Sequence, residues 1–588
     1  MLGDLRVRAS DASARLAELE TKSGKLRLPA FLPVYNPNKP YVSPSEMRRV
    51  GAQAIFTNSY IIWRTPRLRE VALERGVHGL LGFDGIVFTD SGAYQIYRFG
   101  GIEATNLDML RFQHAIGSDV ASIVDVPMAS HLPRREALDG VRMTVRSARE
   151  WREHRDELQG TLWIGTPQGS THWDLIGFTA REMAALGFDY YGAGSLKVAL
   201  ETYDFKVQVD LLLTIRRWLP AGRPIHFWGV GLPSALALFT ALGADSFDSA
   251  SYALFAESGR YMTPHGTLIL DELEEFPCDC PVCSNWTPRE IKSLPKAERV
   301  SLLSKHNLHV LLSEMRLIRE AIRGQWLWEL VQERVRAHPR LLEALQWALS
   351  KYRDILEERE PFTKFHGLFY SGPECEHRPE VIRAKKALKR VSAGGRVFEH
   401  PIFGKVPIGL RYTYPFGQSI VPGWTEPSAS PSDSELISAI LQYQFGVKAP
   451  AAFRSLRLTR SRATGMPRDV YDGETRVGSI RPADGMFVPS LEGAIRLIKA
   501  LPWPKGRVVV RDEYADRVAR GTTVFVKFVK EVDPEIRPGS EVIVVDGSDN
   551  VLAVGKALLS AAEYRSFRRH QFIRLRHHSL PRETSGEG

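Results

Sequence analysis

Between about residues 50 and 255 the chain alternates short apolar runs with stretches of helical periodicity. The runs are Ala52–Asn58, Gly85–Asp90, Ala121–Pro127, Thr161–Thr166, Phe188–Gly194, Ile225–Val230 and Asp245–Ala250. Helical patterns such as Leu107–Ile116, Arg134–Leu158, Ala180–Leu186 and Leu211–Trp218 lie between them. A short apolar run without polar alternation predicts a strand buried on both faces, and its repetition with helices predicts a parallel sheet. The fold class is α/β, most economically a (β/α)8 barrel, although a doubly wound sheet has the same periodicity. Polar residues gather where the strands end: Asn58, Asp90, Asp125, Gln168, Gly192 to Ser195, Gly229 to Gly231, and Asp248. In a barrel these ends open onto one face, where active sites sit.

Beyond residue 255 the pattern changes. A cysteine-rich insertion precedes an amphipathic helical region from about 287 to 358, and around Pro361–Ser371 aromatic, Gly-rich short strands are expected, with a basic segment Arg383–Arg390. Thr425–Ser434, rich in proline and serine, reads as a linker. Residues 435–504 have the pattern of a small α+β domain. From Gly506 onward short β runs recur at Val508–Arg511, Thr523–Val529, Glu541–Asp546 and Val551–Leu558.

Composition narrows this picture only a little. With 588 residues, 44% hydrophobic and 25% charged, several domains of ordinary globular character are expected. The N-terminal Met1–Arg6 has no apolar core of a signal peptide, and the long uncharged stretch Phe227–Ala244 is broken by Gly229, Gly231 and Pro233, so no membrane partner is expected. Clustered cysteines point to a reducing compartment, and the chain reads as cytoplasmic. The net charge of +10 matters through its distribution. Arg454, Arg457, Arg460, Arg462 and Arg468 form one acid-free run; Arg565, Arg568, Arg569, Arg574 and Arg576 form another. Two such runs in one half of the chain favour a nucleic-acid face over solvated surface.

Two constellations carry chemistry. Asp90 and Asp248 each close a buried run and are followed by small residues that let a flat substrate approach the backbone. Carboxylates from two distant strands suit acid/base or nucleophilic work at a sugar carbon. Cys278, Cys280 and Cys283 put three thiolates within six residues, the spacing of a tetrahedral zinc site that needs a fourth ligand to be closed. Cys375 stands apart as an ordinary small core residue.

Thr89-Asp90-Ser91-Gly92 and Phe247-Asp248, together with Pro33-Val34-Tyr35-Asn36-Pro37-Asn38, Thr57-Asn58-Ser59-Tyr60 and Ser249-Ala250-Ser251-Tyr252-Ala253-Leu254, resemble the tRNA-guanine transglycosylase family in its archaeal form. The similarity runs from about residue 25 to about 580. It implies the barrel over 1–358 with a zinc subdomain at about 270–310, an intermediate domain at 359–430, the α+β domain at 435–504, and an RNA-binding PUA domain at 506–580. It also implies exchange of guanine at position 15 of the tRNA D-loop for 7-cyano-7-deazaguanine, the step that begins archaeosine synthesis. Asp248 would be the nucleophile and Asp90 the acid/base group, although the sequence leaves open which of the two attacks. Among substrate-binding residues, Asp125 accepts the two adjacent N–H donors of a guanine-like edge, Gln168 adds an amide contact, and Tyr94 stacks on the base. Ser91 and the backbone at Ala193 complete that set. Ala193-Gly194-Ser195 departs from the Ala-Val-Val usual in archaeal relatives, which leaves the incoming base open. His306 matches the family's fourth ligand to a structural zinc, with His309 as the nearby alternative. The family forms homodimers, so a homodimer is expected.

Two other readings compete. A paralogous archaeosine synthase shares the barrel, the cysteines and the tail, but usually lacks the aspartates and carries a Pro-Cys-Ser motif absent here. A non-catalytic tRNA-binding barrel is disfavoured by Asp90, Asp125 and Asp248 together.

Overall fold

A computed structural model of the protein describes residues 1–93, 104–194, 197–392 and 395–581. The chain divides into two units, Met1–Ala9 with Ser13–Tyr352, and Ser10–Ala12 with Arg353–Gly588.

An antiparallel three-stranded sheet (Leu5–Asp11, Ala14–Thr21 and Gly24–Leu28) opens the chain. Eight parallel strands follow: β1 (Ala30–Pro33), β2 (Ala54–Asn58), β3 (Ile86–Asp90), β4 (Val120–Ser122), β5 (Leu162–Gly165), β6 (Tyr190–Ala193), β7 (Ile225–Phe227) and β8 (Ser246–Ser249). Their order is β1-β8-β7-β6-β5-β4-β3-β2. A parallel bridge between Val34 and Phe56 brings the two ends of that row together, and the Tyr35 N–H donates to the Phe56 carbonyl at 2.7 Å. A doubly wound sheet keeps two open edges, so this is a barrel. Its first strand lies outside the alternation read from the sequence.

The strands are short because only a few residues of each are needed to fill the interior. Ile55-Phe56-Thr57 and Val87-Phe88-Thr89 are buried, as a sheet covered by helices requires. Phe56, Phe88, Tyr190 and His226 form an aromatic layer inside, with ring centroids 5.4 to 6.4 Å apart. The Arg15 guanidinium is clamped by both oxygens of Asp245 at 2.8 and 2.9 Å, and Asp245 also accepts the Ile225 N–H at 2.8 Å. Removing either partner of so buried a pair would leave an uncompensated charge.

Helices coat the outside; among them α1 (Ser59–Arg64) starts directly at the end of β2 with Asn58 as its N-cap. Helix α2 (Arg134–Glu153) shows why the pattern reads as helix: Ala137, Val141, Thr144, Val145, Ala148 and Trp151 recur at three- and four-residue spacing and are buried. After β8 come a hairpin, β9 (Arg260–Thr263) and β10 (Gly266–Ile269), then the cysteine loop, and then the long helix α3 (Lys296–Gly324). No helix among the described residues is long and apolar enough to cross a membrane.

In the second unit, Arg383–Leu388 is helical, being part of α4 (Pro379–Leu388), and the only ladder in 359–430 is the hairpin Val397–His400 with Gly404–Pro407, among the described residues. The proline- and serine-rich stretch leads into α5 (Asp433–Phe445), whose start is fixed by a reciprocal Ser432–Glu435 capping box. A four-stranded sheet over 456–489, helix Leu491–Ile498 and a six-stranded sheet over 507–578 complete the unit. One apolar cluster joins Leu368, Phe416, Leu436, Phe487, Leu497, Val509, Ile543 and Val554, so these sheets and helices share a core.

Candidate active site

At the C-terminal end of β3, the Asp90 carboxylate is held by two donors. Asn58 Nδ2 donates to Oδ2 at 2.9 Å, and the Gly92 N–H donates to Oδ1 at 3.1 Å. Gly92 has φ +79°, and a Cβ there would lie 2.2 Å from Tyr60 Cβ, so glycine is required for this turn. Burial, reinforced by repulsion from Asp125 and Asp248, pushes the Asp90 carboxyl up to about 7 despite those donors. Ser91 is buried, and its hydroxyl donates to the Ile123 carbonyl at 3.0 Å. In this geometry Ser91 fixes the turn.

Asp125 follows β4. Burial pushes its carboxyl up to about 6, and Gln168 Nε2 donates to its Oδ2 at 2.6 Å. Gly194 explains part of that contact: a Cβ there would stand 2.7 Å from Gln168 Nε2, so a larger residue would displace the amide. Ala193 is buried, and its carbonyl accepts the Trp228 N–H at 3.3 Å. Tyr94 lies outside the described residues.

Across the mouth, at the end of β8, the Asp248 side chain is 13% exposed. Its Oδ1 accepts from the Gly229 N–H at 2.8 Å and faces His226 Nε2 at 3.0 Å. His226 is fully buried; its Nδ1 lies 2.8 Å from Ser246 Oγ, which is 2.6 Å from the Tyr190 hydroxyl. Burial and the nearby Asp245 push the Tyr190 phenol far above its usual range, so it stays a donor. His226 was not a sequence candidate. The only signal is a lone histidine in an apolar run, beside a run that alternates Ser246, Phe247 and Asp248.

The cysteine loop closes on α3. Cys278, Cys280, Cys283 and His306 bring their ligand atoms within 4.8 Å of one another. His306 Nδ1 is 3.4 Å from the sulfurs of both Cys280 and Cys283, while Nε2 bonds to the Met262 carbonyl at 2.8 Å, fixing the ring for ligation through Nδ1. Tyr261 stacks on the ring at 3.7 Å. His309, one helical turn on, is not in the cluster. Three sulfurs and one nitrogen form a donor set that can hold a metal ion and suits tetrahedral zinc.

In the tail, Arg565, Arg568, Arg569, Arg574 and Arg576 are all exposed. Arg576 pairs with Glu541 at 2.8 Å, and Arg565 Nε donates to the Tyr564 hydroxyl at 2.9 Å. The last two of the five lie on strand Gln571–His578, read in the sequence only as a charge run.

Family models match along the chain: Queuine tRNA-ribosyltransferase at 10–340, the Patch-forming domain C2 of tRNA-guanine transglycosylase at 435–504, and the PUA domain at 506–579. With a parallel barrel that carries carboxylates at its C-terminal mouth and a PUA domain later in the sequence, the chain belongs to the tRNA-guanine transglycosylase family, a class of enzymes that modify tRNA. The relatives narrow the class to tRNA-guanine(15) transglycosylases. That of Korarchaeum cryptofilum is 57% identical over 98% of each chain. That of Thermococcus kodakarensis is 40% identical over 97% of this chain and 98% of its own, and that of Methanocaldococcus jannaschii 36% over 95% and 97%.

Proposed function

We propose that the enzyme exchanges guanine at position 15 of the tRNA D-loop for 7-cyano-7-deazaguanine through a covalent glycosyl-enzyme intermediate. The observation that carries this reading is the pairing of Asp90 and Asp248 across the barrel mouth in unlike settings. Asp90, pushed up to about 7, is poised to give and take a proton near neutrality. Asp248 has one oxygen committed to donors and the other without a hydrogen-bond partner among the described residues.

In this mechanism the Asp248 carboxylate attacks C1′ as the C1′–N9 bond breaks, and Asp90 in its acid form protonates the departing guanine. The incoming base then loses its N9 proton to Asp90, and that nitrogen attacks C1′ and releases Asp248. No phosphodiester bond changes, so neither ATP nor a redox partner is consumed. Asp125, once ionised, accepts the two donors of the guanine-like edge, with Gln168 beside it. Tyr94 is assigned to stacking. Ser91 is assigned to holding the Asp90 turn, and the Ala193 backbone to lining the pocket.

Cys278, Cys280, Cys283 and His306 would hold a structural zinc that braces the insertion. The exposed arginines of the tail would hold tRNA phosphates. The working form is a cytoplasmic homodimer. Incubation of unmodified tRNA and labelled guanine with the protein tests the central reaction. Label should enter tRNA, unlabelled 7-cyano-7-deazaguanine should compete, and a denaturation-resistant protein–tRNA adduct should accumulate. Asp248→Asn should abolish both signals while tRNA still binds, and an Asp248→Asn protein that still forms the adduct would move the attack to Asp90.

A further inference from the structure

Inside the barrel, below Asp248, lies a chain of polar atoms that the reaction scheme does not use. The Tyr190 hydroxyl, Ser246 Oγ, the two ring nitrogens of His226 and Asp248 Oδ1 are linked in sequence at 2.6, 2.8 and 3.0 Å. Nothing else polar is needed to satisfy it. The His226 ring is otherwise packed among Phe56, Phe88, Tyr190 and Trp228, with no exposure to solvent.

The directions of these bonds follow from elementary chemistry. A carboxylate oxygen can only accept, so Nε2 carries the ring hydrogen. In the neutral ring Nδ1 then accepts, and the Ser246 hydroxyl donates to it. The Ser246 oxygen in turn accepts from Tyr190, whose phenol keeps its proton. Every donor along the chain therefore points toward Asp248. The Gly229 N–H, three residues beyond His226 on the same segment, reaches the same oxygen, so Oδ1 takes two donors.

We propose that His226 is a positioning residue for the nucleophile, oriented by Ser246 and Tyr190. It would lock Oδ1 in place so that Oδ2 alone is presented to the sugar carbon. The inference rests on the reading of Asp248 as the attacking group. The balance of the step is unchanged: the bond from Oδ2 to C1′ forms, the C1′–N9 bond breaks, and the His226 hydrogen stays on Nε2. What the chain supplies is one geometry for the carboxylate and charge-assisted bonds to the oxygen that does not react.

Glutamine and asparagine separate this role from mere packing. The amide nitrogen of His226→Gln can reach the place of Nε2 and donate to Oδ1. The amide of His226→Asn reaches only the place of Nδ1, next to Ser246. We expect His226→Gln to keep turnover within about tenfold of native, and His226→Asn to lose roughly a further tenfold to hundredfold, with the KM for tRNA unchanged in both. Ser246→Ala, which leaves the ring in place but frees its orientation, should lower turnover by about three- to tenfold, again without a change in KM. The rate of adduct formation should follow turnover in all three.

Thermal melting is measured in parallel, because removal of a buried ring can unfold the barrel. Equal turnover in the glutamine and asparagine variants, at either high or low level, would overturn the proposal. So would losses that merely track melting temperature, or an unaffected Ser246→Ala. Asp248→Asn in the same adduct assay keeps the two ideas apart. If that variant still forms the adduct, the nucleophile assignment has failed; if it does not and the histidine variants behave alike, only the positioning role has failed.

Discussion

Asn58 and Asp90 sit directly opposite each other at the ends of paired strands, and the amide of one holds the carboxylate of the other. The same Asn58 side chain accepts the Ile61 N–H at 2.9 Å through its oxygen, so one residue caps α1 and secures Asp90. Asn58→Ala removes a donor that lowers the Asp90 carboxyl. The limb of the pH–rate profile assigned to Asp90 should move upward, turnover at pH 7 should fall about tenfold, and the lost cap should cost about 1 kcal/mol. A profile that keeps its limb while only stability falls would reduce Asn58 to a cap.

The raised Asp90 carboxyl also leaves a mark on stability. Unfolded, the group titrates near 3.8; folded, at about 7. Between those values the folded state retains a proton that the unfolded state has released, so stability declines as pH rises from about 4 to about 7 and then levels. Asp90→Asn should therefore melt about 2–5 °C above native at pH 8, with the gap closing near pH 4. Identical pH dependence in both proteins would show that Asp90 is not held protonated by its surroundings.

Metal binding separates the two histidines of α3. Native protein should contain about one zinc per chain by metal analysis, and His309→Ala should retain it. Cys280→Ala or His306→Ala should lose the metal and melt lower, with turnover at low temperature much less affected. A metal-free Cys280→Ala protein with native melting would remove the structural role.

For the tail, deletion is the wrong instrument. Val509, Ile543 and Val554 belong to the same core as Phe487 and Leu497, so removing 506–588 would strip the fold around it. Replacing Arg568, Arg569 and Arg574 with Gln leaves that core intact. The KM for tRNA should rise and the slope of log affinity against log salt should become shallower by up to about one for each lost phosphate contact, while turnover at saturating tRNA stays within about tenfold. Unchanged binding with collapsed turnover would contradict an RNA-anchoring role.

Much of the barrel was legible because its strands are apolar runs ending in polar residues, as at Gly85–Asp90. Ala30–Pro33 was not, since three residues between Pro29 and Pro33 resemble a turn; pairing with β8 makes them a strand. Gln571–His578 was hidden by its arginines, although Phe572 and Ile573 are buried behind them. Asp90, Asp125, Asp248 and the cysteines stood out because their residue types are costly at such places. His226 did not, since its meaning depends on which strand lies next to β7, a relationship that local sequence does not encode.

That adjacency makes the site a matter of register. Ser246 and Asp248 are two residues apart on β8, so they share its inward face, and β8 is aligned by His226 against Ser246 and Phe227 against Phe247. A slip of one residue would turn Phe247 inward and send both polar groups into the helical coat. Insertions or deletions within this short strand should thus fail as a unit, whereas point substitutions around it can be graded. The place of Asp248 is written in the counting of residues along β8 as much as in their chemistry.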